Sequence, residues 1–210
     1  EIPLRLVGSE MCIRDSNKQA TLEKVVAKIH EAAELGAKLI VFPEATISGY
    51  PKGSDFGARV GGRLPRGREE FLRYFNGAIT VPGPEVDEIA MAAREAQAYV
   101  VIGVMEQEIG TLYCTALHFS PVGEMIGKHR KLMPTAVERL IWGYGDGSTL
   151  PVFNTPHGKM GTVICWENYM PLLRMAMYGK GIQLYCAPTA DDRDEWITSC
   201  LLYTSDAADE

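Results

Sequence analysis

The chain has 210 residues, 46% of them hydrophobic and 23% charged, with a formal net charge of −6. These values describe an ordinary globular chain with room for one sizeable core, and they argue against nucleic acid as the main partner. No apolar run reaches the length of a membrane span, and five cysteines in no metal-ligand spacing fit a reducing compartment, so a cytoplasmic protein without a membrane partner is expected.

The two ends carry no usable periodicity. Ser9 to Ser16 can be encoded by a DNA string whose reverse complement, in another frame, encodes Cys-Leu-Leu-Tyr-Thr-Ser, the sequence of Cys200 to Ser205. Both ends therefore resemble translations of one DNA adaptor on opposite strands. The expectation is a single partial domain over residues 17–199, with 1–16 and 200–210 as non-native tails. Setting the tails aside removes Cys12 and Cys200 and leaves a nearly neutral body. Elements missing at either end would leave sheet edges and apolar faces uncovered, so these 210 residues alone are expected to be inactive or aggregated.

Leu22, Val25, Val26, Ile29, Ala32, Ala33 and Leu35 recur at helical spacing. Thr21 is the expected N-cap and Gly36 the stop. The run Leu39 to Pro43 predicts a strand buried on both faces, ending at Glu44, which on its own would be a solvated residue beyond a strand. Residues 45–53 form a loop rich in turn residues, and 54–65 an exposed excursion rich in glycine and arginine. A short helix is expected over 69–75 and a longer one from Pro84 to about Gln97.

Strands follow at 99–106, 111–120 and 125–128, the last two joined by the turn Pro121 to Glu124. The basic run Lys128-His129-Arg130-Lys131, taken alone, reads as a solvated face or a phosphate site. Residues 152–154 and 160–165 read as a hairpin, 172–179 as a helix and 182–187 as a strand. Helices and strands thus interleave over a mixed sheet in one domain. Cys165 falls at a strand end, on a sharp connection into a helix. That placement holds a nucleophile clear of the sheet, and a helix N-terminus beside it would favour a thiolate. Cys114 and Cys186 sit inside strand patterns and are expected in the core. His118, His129 and His157 show no partner pattern.

Apart, Glu44, Lys131 and Cys165 are weak signals. In their local strings they are not: Leu-Ile-Val-Phe-Pro-Glu-Ala (39–45), Lys-His-Arg-Lys-Leu-Met-Pro-Thr (128–135) and Gly-Thr-Val-Ile-Cys-Trp-Glu-Asn (161–168). Together these strings resemble the carbon–nitrogen hydrolases, the nitrilase superfamily, over essentially all of residues 17–199. The resemblance implies a four-layer α-β-β-α sandwich, here incomplete at both ends, and a catalytic triad of Glu44, Lys131 and Cys165. Glu138 stands where the family has a second glutamate. Cys165 to Leu172, Arg139 to Gly143 and Cys186 to Arg193 are similar to the nitrilase and cyanide hydratase branch. Homodimers or larger homo-oligomers are what the family implies for the intact protein.

The chemistry can be derived from the residue types. A nitrile carbon is a poor electrophile and a neutral thiol a poor nucleophile. Glu44 can take the thiol proton so that Cys165 attacks, and later activate water. The ammonium of Lys131 suits the charge that builds on nitrogen and then oxygen, with the backbone N–H of Trp166 as a second donor. Tyr50, Glu167 and Asn168 are candidate pocket residues. No metal, cofactor or nucleic acid is called for; the partner is a small-molecule nitrile. An amidase using the same triad is one alternative. A non-catalytic binding or assembly module on the same fold is another.

Overall fold

A computed structural model describes residues 5–6 and 17–191 of the chain. The expectations for the remaining tail residues and for 192–199, including Asp192 and Arg193 of the last branch motif, lie outside the described residues.

Helix α1 (Lys18–Glu34) follows from its apolar spacing, with Leu22, Val25, Ile29 and Ala32 buried along one stripe. Truncating one of these, such as Ile29→Ala, would cost about 2–5 kcal/mol. The helix starts earlier than expected. Asn17, not Thr21, is the N-cap: its Oδ1 accepts the Ala20 N–H at 3.1 Å, while the Thr21 hydroxyl donates back to the Asn17 carbonyl. The apolar stripe begins one turn inside the helix, which is why Thr21 misled. Gly36 is the stop, with φ +84°, a left-handed conformation that glycine reaches without strain. The Gly36 and Ala37 N–H groups bond back to Ala33 and Ala32 and satisfy the last carbonyls. Leu35, expected in the stripe, is half exposed at the cap.

The apolar run beginning at Leu39 forms β2 (Leu39–Val41), buried throughout. It pairs in parallel with β5 (Tyr99–Glu108), which continues antiparallel into β6 (Thr111–Phe119) and β7 (Met125–Arg130). On the other side of β2 lies β1 (Arg5–Leu6), so two residues set aside with the tail take a strand position. Between these lie a small exposed hairpin, β3 (Ala58–Arg59) with β4 (Gly62–Arg63), and α2 (Pro65–Gly77). Helix α2 is longer than the expected 69–75, because Pro65 opens its first turn. Its Leu72 is exposed. The second sheet has the order β10-β9-β8: β8 (Val152–Thr155) and β9 (Gly158–Thr162) form the expected hairpin, and β10 (Leu184–Cys186) pairs parallel to β9.

Strand alternation then sorts side chains into layers. Ile40, Val100 and Ile102 face α1 and α3 (Pro84–Ala96), packing on Ile29, Ile89 and Ala93. Their neighbours Leu39, Val41 and Val101 point the other way and meet Met160 and Cys186 of the second sheet. Beyond it, Leu173 and Met177 of α4 (Pro171–Gly179) pack with Val163. The result is the four-layer α-β-β-α sandwich. His118 of β6 stitches the two sheets, its Nε2 2.8 Å from the Thr162 hydroxyl. Burial lowers its pKa to about 4, with the charge of neighbouring His129 acting in the same direction and the Gly127 carbonyl opposing.

Candidate active site

Glu44 arrives at the carboxyl end of β2 through a close backbone approach. Gly103 on β5 donates its N–H to the Pro43 carbonyl at 3.2 Å. A Cβ on Gly103 would stand 2.5 Å from that oxygen and 2.6 Å from the Glu44 Cα, so only glycine lets the strand end settle there. The chain then turns aside at Ala45, which holds φ +51°. The Thr46 hydroxyl secures the turn by donating to Pro43 O at 2.7 Å. Glu44 ends up buried, 2% exposed.

The basic run is neither a solvated face nor a phosphate site, because strand geometry splits it. Lys128 and Arg130 point to one side, where both donate to the buried Glu106 at 2.5 to 2.9 Å. His129 and Lys131 point to the other and are fully buried. Lys131 extends the β7 ladder by donating its N–H to Cys114 O at 2.8 Å and accepting from Gly145 N at 2.7 Å. A Cβ on Gly145 would sit 2.2 Å from Arg130 O, so the loop through Gly143, Gly145 and Gly147 can lie against this strand end only without a side chain at Gly145.

At the far end of that side chain, the Lys131 ammonium donates to Glu44 Oε1 at 2.6 Å and to Glu138 Oε2 at 2.9 Å. Glu138 is held in turn on the 3₁₀ helix Ala136–Leu140. It accepts the Thr135 N–H at 2.6 Å and the Tyr50 hydroxyl at 2.7 Å. The Lys131 ammonium also lies over the Trp142 ring, 5.4 Å from its centroid. Trp142 meets Tyr50 edge to face.

Cys165 opens the 3₁₀ helix Cys165–Tyr169, which precedes α4, and takes φ +51°. A left-handed conformation on a non-glycine residue costs energy and persists only where surroundings impose it. Here the Cys165 N–H is fixed to Pro188 O at 2.9 Å, and the elbow is the strand-to-helix connection expected from sequence. The thiol meets the Glu44 carboxylate. The other Glu44 oxygen accepts from Ala190 N at 3.3 Å, so the 187–190 loop closes over the same carboxylate.

The charges explain how the thiol is held. Burial and the Glu44 charge beside it raise the Cys165 pKa well above its ordinary value, although Lys131 pulls the other way. The resting group is a thiol, not the thiolate expected from a nearby helix end: two carboxylates face one ammonium, and α4 begins only at Pro171. Burial would push the Lys131 ammonium down, but the charges around it, Glu44 foremost, outweigh that and raise its pKa. The Tyr50 hydroxyl is also raised, by burial and then by its bond to Glu138, so it stays a proton donor.

The remaining candidates separate. Tyr50 touches the cluster through Glu138. Trp166 follows the nucleophile, is 44% exposed and has its ring 5.0 Å from that of Tyr169. Asn168 lies on the same turn, its carbonyl accepting from Arg174 at 3.3 Å. Glu167, expected in the pocket, instead spends both oxygens on the scaffold: Ile164 N and Leu132 N at 2.6 Å each, and His129 at 2.9 Å. Two site neighbours escaped the sequence. Cys114 is in the core as expected, yet its thiol is 3.4 Å from Glu44 Oε1. Its position follows from the β5–β6 register, which a strand pattern alone does not contain. His129 has partners that lie 20 and 38 residues away. Among the described residues no group of three or more His, Cys, Asp or Glu could hold a metal ion, and no helix is long and apolar enough to cross a membrane.

This fold and this cluster define a class. The family model for the carbon–nitrogen hydrolases matches residues 5–201, and the chain belongs to that family. Within it, the chain is 64% identical over 178 residues to an aliphatic nitrilase of Sinorhizobium fredii, covering 85% of this chain and 58% of that one. It is 62% identical over 175 residues to a nitrilase of Bradyrhizobium diazoefficiens, covering 83% and 54%. With a bifunctional nitrilase/nitrile hydratase of Nicotiana tabacum it shares 59% over 180 residues, covering 86% and 52%. The chain thus spans little more than half the length of these curated relatives. Among solved structures, an amidase from Nesterenkonia sp. superposes with a TM-score of 0.67 at 22% identity, covering 97% of this chain and 73% of that one. At that identity the likeness speaks for the fold.

Proposed function

We propose that this chain carries the catalytic centre of a nitrilase, which converts an organic nitrile to the carboxylic acid and ammonia. The observation that carries the proposal is the Lys131 ammonium bridging Glu44 and Glu138, with the Cys165 thiol on the same Glu44 carboxylate. The relatives named as nitrilases support nitrile as the substrate class.

Glu44 takes the thiol proton as the sulfur of Cys165 bonds to the nitrile carbon, giving a covalent thioimidate. Coupling the two events suits a thiol whose pKa is raised, since no free thiolate need accumulate. Lys131 and the Trp166 N–H stabilise charge first on nitrogen and then on the oxygen delivered by water. Glu44 passes the thiol proton to the imidate nitrogen and, ionised again, relays the protons of that water to the same nitrogen, so that ammonia leaves and a thioester remains. A second water releases the acid and restores the thiol. Glu138 and Tyr50 hold Lys131 in place throughout. In the intact protein we expect a homodimer or larger homo-oligomer, a reading supported by the exposed Leu172, Met175 and Tyr178 on α4. A cytoplasmic setting is supported by the free thiols of Cys114, Cys165 and Cys186.

The test is a panel of nitriles and the matching amides with the full-length enzyme, quantifying acid, amide and ammonia. Nitrile consumption with acid and ammonia released is expected. Hydrolysis of amides alone would make the protein an amidase. Turnover of neither would make it a binding or assembly module.

A further inference from the structure

We propose that His129 and Glu167 form a charged brace that positions Lys131 against Cys165, so that both are positioning residues for the nitrile chemistry on which this inference rests. His129 lies on β7 two residues before Lys131, and its side chain and that of Glu167 are wholly buried. The ring sits between two acceptors. Nδ1 is 2.5 Å from the Thr149 carbonyl oxygen, and Nε2 is 2.9 Å from Glu167 Oε2. A carbonyl oxygen only accepts, so Nδ1 carries a hydrogen. The Glu167 oxygens already receive the Ile164 and Leu132 N–H groups at 2.6 Å each, the environment of an ionised carboxylate. Nε2 therefore carries a hydrogen too, and the pair is an imidazolium facing a carboxylate.

Where the pair sits gives it its role. Leu132 directly follows Lys131, and Ile164 directly precedes Cys165. One carboxylate thus ties the chain on both sides of Lys131 to the residue before the nucleophile. Along β7 the ladder with β6 already holds the strand, through Arg130 opposite Thr115. The bonds to Glu167 add a link from that strand to the elbow, where Cys165 is held at φ +51°. A buried ion pair is exacting about geometry and costly to break by removing one partner. Neither side chain bonds the Lys131 ammonium, so the effect on chemistry passes through backbone placement. Misplacing reacting groups by about 1 Å can cost about 100-fold in rate.

Two substitutions in the full-length enzyme separate the brace from mere packing. His129→Asn keeps an amide donor near Thr149 O but cannot reach Glu167, whereas His129→Gln reaches Glu167. His129→Asn should lower kcat for nitriles about 10- to 100-fold with KM changed less than about threefold, and His129→Gln should recover most of the loss. Wild-type kcat in folded His129→Asn, or equal losses in both variants, would overturn the brace. Should neither variant fold, the wild-type enzyme decides by ¹⁵N NMR of its labelled histidines. Hydrogens on both ring nitrogens of His129 at neutral pH are expected; one bare nitrogen would overturn the proposal. A wild-type enzyme inert to nitriles but with that doubly protonated ring would sink the proposed function and leave the brace standing.

Discussion

Two buried carboxylate–cation clusters lie on opposite sides of the same strand end, and they are built to different balances. Around Glu106, one carboxylate receives two cations, Lys128 and Arg130, and the Thr115 hydroxyl. Burial opposes its charge, but those hydrogen bonds outweigh it and lower its pKa. Both cations keep an edge in solvent, with side chains 25% and 16% exposed. Around Lys131, one cation serves two carboxylates, and Lys131, Glu44 and Glu138 are buried. Backbone strain accompanies this second cluster, with positive φ at Ala45, Ala136 and Cys165. In the first arrangement Arg130 also donates to Glu108 at 3.1 Å, so two carboxylates face two cations, every charge has a partner and the sheet is stabilised. The second leaves negative charge in surplus beside a thiol, which keeps that thiol protonated until a base acts on it. Strain and unbalanced charge gather where chemistry needs them and are offset elsewhere in the fold.

The largest expected effects come from changing the unbalanced cluster. Glu44→Gln should lower turnover by about 10²–10⁴-fold while substrate binding changes little. Because one of two like charges is gone, its thermal midpoint should not fall. The Cys165 thiol should become more acidic, so the pH profile of its alkylation should move to lower pH. Near-normal turnover, or a profile shifted upward, would break the contrast between the two clusters. Cys165→Ser should abolish turnover almost completely, since an alkoxide is far harder to generate near neutral pH.

Next in size is an acid transition set by His118, a polar group of the sandwich outside both clusters. Its folded pKa of about 4 lies below the ordinary 6.5, so the unfolded chain takes up the proton first. Stability is fully present above about pH 6.5, declines as pH falls toward 4, and the total loss is of order 3 kcal/mol. Urea titrations across that range should show a shallower decline in His118→Gln; an unchanged slope would mean that another group drives it.

Glu106→Gln tests the balanced cluster directly. Stability should drop by about 1–3 kcal/mol, because Lys128 loses its counter-charge and Arg130 keeps only Glu108, while both cations remain partly hydrated. Turnover should stay within about twofold, as the cluster faces away from Lys131. A large loss of turnover with an unchanged midpoint would show that the two clusters are coupled. The smallest effect serves as a control far from both. Asn17→Ala removes the cap of α1 and should cost about 1 kcal/mol in chemical denaturation, with no change in turnover.

Much of this protein is written locally. The stripe Leu22, Val25, Ile29 and Ala32, the stop at Gly36, the buried run at Leu39, the turn at 121–124 and the hairpin at 152–162 each depend on residues within a few positions of one another. Helical and strand periods are short-range properties, so sequence alone determined them. The three strings around Glu44, Lys131 and Cys165 identified the family for the same reason: each is contiguous. Local rules failed where a choice between neighbours was close, as at Asn17 against Thr21. What tertiary structure decided is what spans the chain. Glu44 meets Lys131 across 87 residues and Ala190 across 146, and Cys114 reaches Glu44 across 70. The basic run could not be divided into scaffold and site until β7 had a face toward each. Glu167 could not be told from a pocket residue until Leu132 and His129 were beside it. Such contacts depend on sheet register and layer packing, which set side chains face to face without leaving a local trace in the chain.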